Sequence, residues 1–125
     1  MSFLDQLFIE KETFVTDEGF TAVVQCNPDH PVYQSHFPGN PITPGACLLK
    51  TAGTLLQRNI GRPLFLKSSK NIKYLSILIP EAGKEVKFSF SHVVESETEC
   101  KAQVVIADEN VVYTKMSLVL SYEQV

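Results

Sequence analysis

The chain lacks the features that would place a protein in a membrane, on nucleic acid or outside the cell. No apolar run is long enough to cross a bilayer, and no cluster of Lys or Arg stands out in a chain whose net charge is −3. The first nine residues include an acid and have neither a basic start nor a long apolar stretch, which is unlike a signal peptide. We therefore expect a cytoplasmic protein that binds neither nucleic acid nor a membrane.

Cysteine is also scarce, since the chain has only three, at positions 26, 47 and 100. An odd, widely spaced set favours reduced thiols over a disulfide framework. The three His and three Cys do not occur at metal-ligand spacing, so we expect no metal and no other cofactor. A length of 125 residues without a shift in composition predicts one domain, residues 1–125.

The pattern of apolar residues predicts one helix among about six strands. Thr43 as N-cap, Pro44 as the first helical residue and Gly61 as a stop signal predict a helix from about Pro44 to about Asn59. It is apolar around most of its circumference and should be largely buried. Alternation predicts strands on both sides of it, at 8–15, 20–26, 64–79 (one strand or a bent pair), 86–92, 102–106 and 112–122.

A single helix among strands cannot build the alternating units of a parallel sheet. We therefore expect an α+β fold in which a curved antiparallel sheet wraps around the helix. Two further residues are expected to be buried in the core: Cys47, in the first helical turn, and His92, on the apolar side of a strand.

The segment from Asn27 to Pro44 predicts no regular element, and its second half is unusually restricted. His36 to Gly45 reads His-Phe-Pro-Gly-Asn-Pro-Ile-Thr-Pro-Gly, with three prolines and two glycines in ten residues. A long connection of this kind in a small domain is more often functional than accidental. The imidazole of His36 is the natural candidate for its chemistry, because it can take up or release a proton near neutral pH.

The stretch Pro31–Gly45 resembles the active-site loop of the beta-hydroxyacyl-(acyl carrier protein) dehydratases of the FabZ type, which have the hotdog fold. The preceding hairpin, the following helix and the segment Lys73–Pro80 also occur in the order expected of that family. The resemblance implies that water is eliminated from a (3R)-hydroxyacyl thioester held by acyl carrier protein. It also implies a site at a subunit interface, hence a homodimer, a dimer of dimers or a heterodimer with a homologue.

The resemblance also implies roles for individual residues. His36 matches the base that removes the C2 proton. Gly45 and Ala46 match the helix start whose N–H groups polarise the thioester carbonyl. Gly39 matches the close approach of backbone to substrate, while Tyr33 and Phe37 match aromatic positions that line the acyl tunnel or support the loop.

One departure from the family pattern affects the proton chemistry directly. Lys50 occupies the helix position where the family carries Glu, and no Asp or Glu occurs anywhere between His30 and Ile79. Lys50 either extends to solvent, pairs with an acid across a subunit interface, neutralises charge, or replaces the Glu as proton donor.

The leading functional hypothesis is a dehydratase of fatty acid or related polyene and lipid biosynthesis. Two alternatives remain open. One is a thioesterase of the same fold, although this helix offers no carboxylate to position water. The other is a non-catalytic subunit that pairs with an active homologue and completes its site.

Overall fold

A computed structural model of the chain describes residues 6–35, 39 and 41–123. In this part of the chain, neither helix is long and apolar enough to cross a membrane. The elements are β1 (Phe8–Thr16), β2 (Gly19–Cys26), α1 (Val32–Ser35), α2 (Gly45–Ile60), β3 (Phe65–Tyr74), β4 (Glu85–Glu95), β5 (Glu99–Ala107) and β6 (Val112–Ser121).

The six strands form one sheet in the order β1-β2-β4-β5-β6-β3. Every neighbouring pair is antiparallel, which confirms the prediction from the single helix. β1 and β2 form a hairpin with Thr16 opposite Gly19. The order leaves β1 and β3 as the two edge strands of the described sheet.

Helix α2 packs against the sheet through one side only. The buried side chains of this helix share the main core with inward-facing residues of the strands: Leu48, Ala52, Leu55 and Leu56. The opposite line is exposed, at Ala46, Lys50, Thr54 and Arg58. The helix ends where expected: Gly61 adopts a left-handed φ of 83°, and its N–H donates to the carbonyl of Gln57.

The start of α2 differs by one residue from the prediction. Pro44 is the N-cap, with φ −63° and ψ 144°, and the helix begins at Gly45. Thr43 does not cap the helix, because its hydroxyl is engaged by Tyr33 instead.

Two strand predictions also need correction. β3 ends at Tyr74 and not at Ile79, because the N–H groups of Leu75 and Ser76 both turn to the carbonyl of Tyr113. His92 is exposed and not a core residue, since a bulge in β4 gives it a φ of 49° and reverses the alternation. Its Nδ1 lies 3.2 Å from a carboxylate oxygen of Glu18.

One buried polar side chain of the sheet has no visible partner. Thr114, on β6, is fully buried and lies opposite Ile106 on β5 and Tyr74 on β3. Its Oγ1 has no hydrogen-bond partner among the described residues. Burying a hydroxyl without a partner costs about 1–3 kcal/mol, and no described residue offsets that cost at Thr114.

Candidate active site

The segment that leads to the His36 motif is more ordered than its sequence indicates. It contains the one-turn helix α1, where no element was predicted. The imidazole of His30 is buried, and its Nδ1 accepts a hydrogen bond of 3.0 Å from the N–H of Val32. Val32 and Tyr33 pack with Leu7 and Cys47 in a second, smaller core. The chain is therefore anchored to the helix immediately before the motif.

A buried hydrogen bond joins the two sides of this segment. The hydroxyls of Tyr33 and Thr43, ten residues apart, lie 2.9 Å from each other. The backbone N–H of Thr43 donates to the carbonyl of Leu78 at 2.9 Å. Burial raises the pKa of Tyr33 to about 12, against the opposing effect of the hydrogen bond with Thr43. Tyr33 therefore stays protonated at neutral pH and acts as a hydrogen-bonding support.

Replacing Tyr33 by Phe should lower the free energy of unfolding by about 1–2 kcal/mol, because the buried hydroxyl of Thr43 loses its partner. Urea denaturation of Tyr33→Phe, Thr43→Val and the double variant measures the coupling free energy between the two hydroxyls. Tyr122→Phe is the control, since it removes an exposed hydroxyl bonded to Glu95 and should change stability by less than about 0.5 kcal/mol. Strict additivity of the two single effects would show that the bond contributes nothing.

Two proposed site residues, His36 and Phe37, lie outside the described residues. Gly39 is described: it is exposed and has a φ of 83°, a conformation that favours glycine. A Cβ there would meet no atom of a described residue within 4 Å, so the positive φ is the described feature that favours glycine.

The start of α2 presents unused backbone donors. The carbonyl of Pro44 accepts hydrogen bonds from the N–H groups of Cys47 (3.0 Å) and Leu48 (3.2 Å). No side chain caps the helix, and the N–H groups of Gly45 and Ala46 have no acceptor in the described part of the chain. Free amides and the positive end of the helix dipole can together hold an oxygen that gains negative charge.

Tyr74 packs directly against this helix start, which the sequence analysis did not foresee. A Cβ added to Gly45 would lie 2.6 to 2.8 Å from the Cζ, Cε1 and hydroxyl oxygen of Tyr74. Tyr74 as a whole is 55% exposed. The signal available in the sequence was an aromatic residue in the segment Lys73–Pro80, whose contact with Gly45 depends on the tertiary fold.

Gly45→Ala should lower the free energy of unfolding by up to about 1 kcal/mol, because the new methyl group would push aside the far end of the half-exposed Tyr74 side chain. Gly53→Ala on the same helix is the matched control. Its Cβ would meet only Leu120 Cδ2, at 3.8 Å, so helix propensity should make that variant more stable by up to about 1 kcal/mol. Thermal unfolding measures both, and a Gly45→Ala variant as stable as Gly53→Ala would contradict the close packing.

Lys50 lies on the exposed line of α2, one turn beyond Ala46. Its carbonyl accepts a hydrogen bond from Thr54 Oγ1 at 3.1 Å, and no ion pair among the described residues involves its ammonium group. Cys47, which follows Ala46 in the first turn, is buried as predicted, and burial raises the pKa of its thiol despite the opposing charge of Lys50. The described site thus offers a lysine and two backbone amides but no carboxylate from this segment.

Comparison with known proteins decides the family. A family model described as ApeI-like, ApeI dehydratase, matches residues 11–115. The chain belongs to the ApeI-like dehydratase family. Comparison with curated proteins gave no match.

Solved structures agree with this ApeI-like assignment in fold. The dehydratase heterocomplex ApeI:P from Xenorhabdus doucetiae superposes with a TM-score of 0.72 at 15% identity, over 91% of this chain and 97% of that one. A putative thioesterase, yhdA from Lactococcus lactis, superposes with a TM-score of 0.67 at 16% identity, over 99% of this chain and 100% of that one. A hypothetical thioesterase from Streptococcus pneumoniae, solved with coenzyme A, has a TM-score of 0.65 at 14% identity, over 94% of this chain and 87% of that one.

These matches confirm the predicted hotdog fold. The sequence resemblance is confirmed at the level of a hotdog dehydratase family, and the family that matches is the ApeI-like one and not specifically the FabZ type. Since dehydratases and thioesterases share this fold, the reaction has to be argued from the site of this ApeI-like chain.

Proposed function

We propose that this chain takes part in dehydrating (3R)-hydroxyacyl thioesters carried by acyl carrier protein, giving the trans-2-enoyl thioester. The pathway class would be fatty acid biosynthesis or a related polyene or lipid pathway. The observation that carries the proposal is the start of α2, where the N–H groups of Gly45 and Ala46 have no acceptor among the described residues, directly after the His36 motif in a chain of the ApeI-like dehydratase family.

The chemistry requires a base, a site for negative charge and an acid. His36 would take the proton from C2, and the electron pair left behind would shift toward the thioester carbonyl. The amides of Gly45 and Ala46 would hold that carbonyl oxygen as its negative charge develops. The C3–O bond then breaks, and the departing hydroxide needs a proton to leave as water.

The proton that leaves with the hydroxide has two candidate donors. Lys50 is the only Lys, Arg, Asp or Glu in the first two turns of α2, and it lies one turn from the amide of Ala46 on the exposed line. Its ammonium group would protonate the leaving hydroxide. Alternatively, a carboxylic acid of a second subunit, close to Lys50, would donate that proton. Tyr33 would support the loop and line the acyl site without exchanging protons.

An assembly of two subunits fits this proposal, because the line of α2 that carries Ala46 and Lys50 is exposed in the single chain. The structural neighbour from Xenorhabdus doucetiae is a dehydratase heterocomplex, ApeI:P. A homodimer, a dimer of dimers and a heterodimer with a homologue would each be able to complete the site.

The deciding experiment is the hydration of a crotonyl thioester by the purified chain, alone and mixed with a homologous chain. Both the carrier-protein and coenzyme A thioesters are offered, while loss of the enoyl absorbance and release of free thiol are followed separately. Hydration without thiol release supports the proposal. Thiol release would instead support a thioesterase, and hydration only with the homologue would make this chain a subunit of a shared site.

A further inference from the structure

One tyrosine of this chain differs from the others in its hydrogen bonding. The chain contains four tyrosines. Three of them form side-chain hydrogen bonds within the chain: Tyr33 with Thr43, Tyr113 with Asp108 and Tyr122 with Glu95. The hydroxyl of Tyr74 has no such partner among the described residues, and it lies at the start of α2. This hydroxyl is therefore available to a ligand that binds there.

The backbone on both sides of Tyr74 fixes where its side chain lies. Tyr74 is the last residue of β3 and pairs with Thr114 on β6. The next two N–H groups, of Leu75 and Ser76, both donate to the carbonyl of Tyr113. The ring thus reaches α2 from a segment held by the sheet, and such support is what the precise placement of a polar group requires.

The hydroxyl of Tyr74 lies close to the first amide of the helix. Its oxygen is 2.8 Å from the position that a Cβ of Gly45 would occupy. Since a Cβ lies about 2.5 Å from the nitrogen of its own residue, the hydroxyl oxygen is at most about 5.3 Å from the Gly45 nitrogen. Cβ positions in a helix tilt toward its N-terminus. The hydroxyl is therefore placed toward the helix end at which the N–H groups of Gly45 and Ala46 have no acceptor among the described residues.

Two donors at this separation can share one acceptor. An N–H···O bond spans about 2.9 Å and an O–H···O bond about 2.7 Å, so an oxygen that accepts both can join donors up to about 5.6 Å apart. The N–H of Gly45 and the O–H of Tyr74 meet this distance condition. One ligand oxygen at the start of α2 can thus accept hydrogen bonds from the backbone and from Tyr74 together.

We propose that Tyr74 is a further catalytic residue, whose hydroxyl donates a hydrogen bond to the thioester carbonyl oxygen beside the N–H groups of Gly45 and Ala46. The inference deepens the proposed function, and rests on it in placing that carbonyl at the start of α2. When His36 takes the C2 proton, the electron pair moves onto this oxygen, and the bond from Tyr74 strengthens as the negative charge grows. When hydroxide leaves C3, the pair returns to form the C2–C3 double bond. Tyr74 keeps its own proton throughout.

A purely structural role of the ring predicts a different result. The far end of Tyr74 covers Gly45, and phenylalanine at position 74 would still cover most of it. Tyr74→Phe therefore removes the donor and keeps the packing, so its melting temperature should equal that of the wild type. Tyr122→Phe is the matched control, because it removes a hydroxyl that is bonded to Glu95 instead.

The test applies two readouts to the wild type and both variants, each alone and mixed with the homologous chain. The first is the carbon-13 resonance of a labelled carbonyl in butyryl-coenzyme A, a thioester without a double bond to hydrate. A hydrogen bond to the carbonyl oxygen moves this resonance downfield. The second is crotonyl-thioester hydration, with kcat and KM determined separately.

We expect binding to move the carbonyl resonance downfield in the wild type and in Tyr122→Phe, and to move it less in Tyr74→Phe. Tyr74→Phe should also lower kcat at least about tenfold while KM stays within about threefold, because the bond is strongest in the transition state. Three results would each overturn the inference: an equal resonance shift in Tyr74→Phe and the wild type, the same loss of kcat in Tyr122→Phe, or no binding of the butyryl probe.

The two readouts also separate this inference from the proposed function. A chain that moves the resonance through Tyr74 but hydrates no thioester, alone or with the homologue, would contradict the proposed reaction and support the hydrogen bond. A Tyr74→Phe variant that hydrates as fast as the wild type would contradict the role of Tyr74 and leave the proposed reaction standing.

Discussion

His36→Ala is expected to lower the rate of crotonyl-thioester hydration by about 10²- to 10⁴-fold, the usual effect of losing a general acid or base. The reason is that His36 would have to accept the proton from C2, and the segment around it contains no carboxylate that could do so instead. Steady-state kinetics with a saturating carrier-protein thioester measures the change in kcat. His92→Ala is the control, since it removes an exposed imidazole on the β4 bulge. Unchanged hydration by His36→Ala would leave the chain as a binding or partner subunit.

The same assay distinguishes the possible roles of Lys50. If its ammonium group is the acid, Lys50→Ala should abolish hydration, while Lys50→Glu should retain or raise it. If Lys50 is a bystander, Lys50→Ala should change little, and Lys50→Glu should raise the activity by supplying the carboxylic acid that the family resemblance implies. Thr54→Ala, one turn further along the same exposed line, is the control.

Phe88→Ala should have the largest effect on stability, lowering the free energy of unfolding by about 3–5 kcal/mol. Phe88 is fully buried on β4, pairs with Ala22 and Ile106 on the neighbouring strands, and meets Phe8 edge to face at 5.6 Å. Domains are stable by only about 5–15 kcal/mol, so the variant should be close to unfolding.

Urea denaturation monitored by circular dichroism measures this loss. Phe14→Ala is the matched control, because Phe14 is 43% exposed on the edge strand β1 and should cost less than about 1 kcal/mol. Similar losses of unfolding free energy for both variants would contradict the deep burial of Phe88.

The helix and most strands were predictable because their signals are local. The apolar positions of α2 follow the helical period. Gly61 adopts the left-handed conformation at the end of the helix, as its position in the sequence indicates. Strict alternation in β5 and β6 corresponds to the observed burial of Ala102, Val104 and Met116. Such patterns depend on neighbours within one element, and these neighbours are visible in the sequence.

The features that were missed depend on contacts distant in sequence or on a local break in the pattern. Thr43 and Pro44 are both compatible with a helix start, and the bond that Thr43 makes with the distant Tyr33 is not visible in the local sequence. His92 continues an apolar alternation in the sequence, but the bulge that exposes it shifts the register without a recognisable residue pattern. The packing of Tyr74 on Gly45 likewise joins two elements whose approach is set by the whole sheet.

The hydroxyl of Thr114, which has no hydrogen-bond partner in the described part of the chain, affects how this protein can change over evolutionary time. A chain selected only for folding would place an apolar side chain of similar size at this buried position. Because the penalty is confined to one atom, a single substitution there could restore stability lost elsewhere. A destabilising change near the helix start, such as one that alters acyl preference, would then be tolerated if it arose in that background. A stabilising substitution at Thr114 would thus allow the protein to accept destabilising substitutions elsewhere.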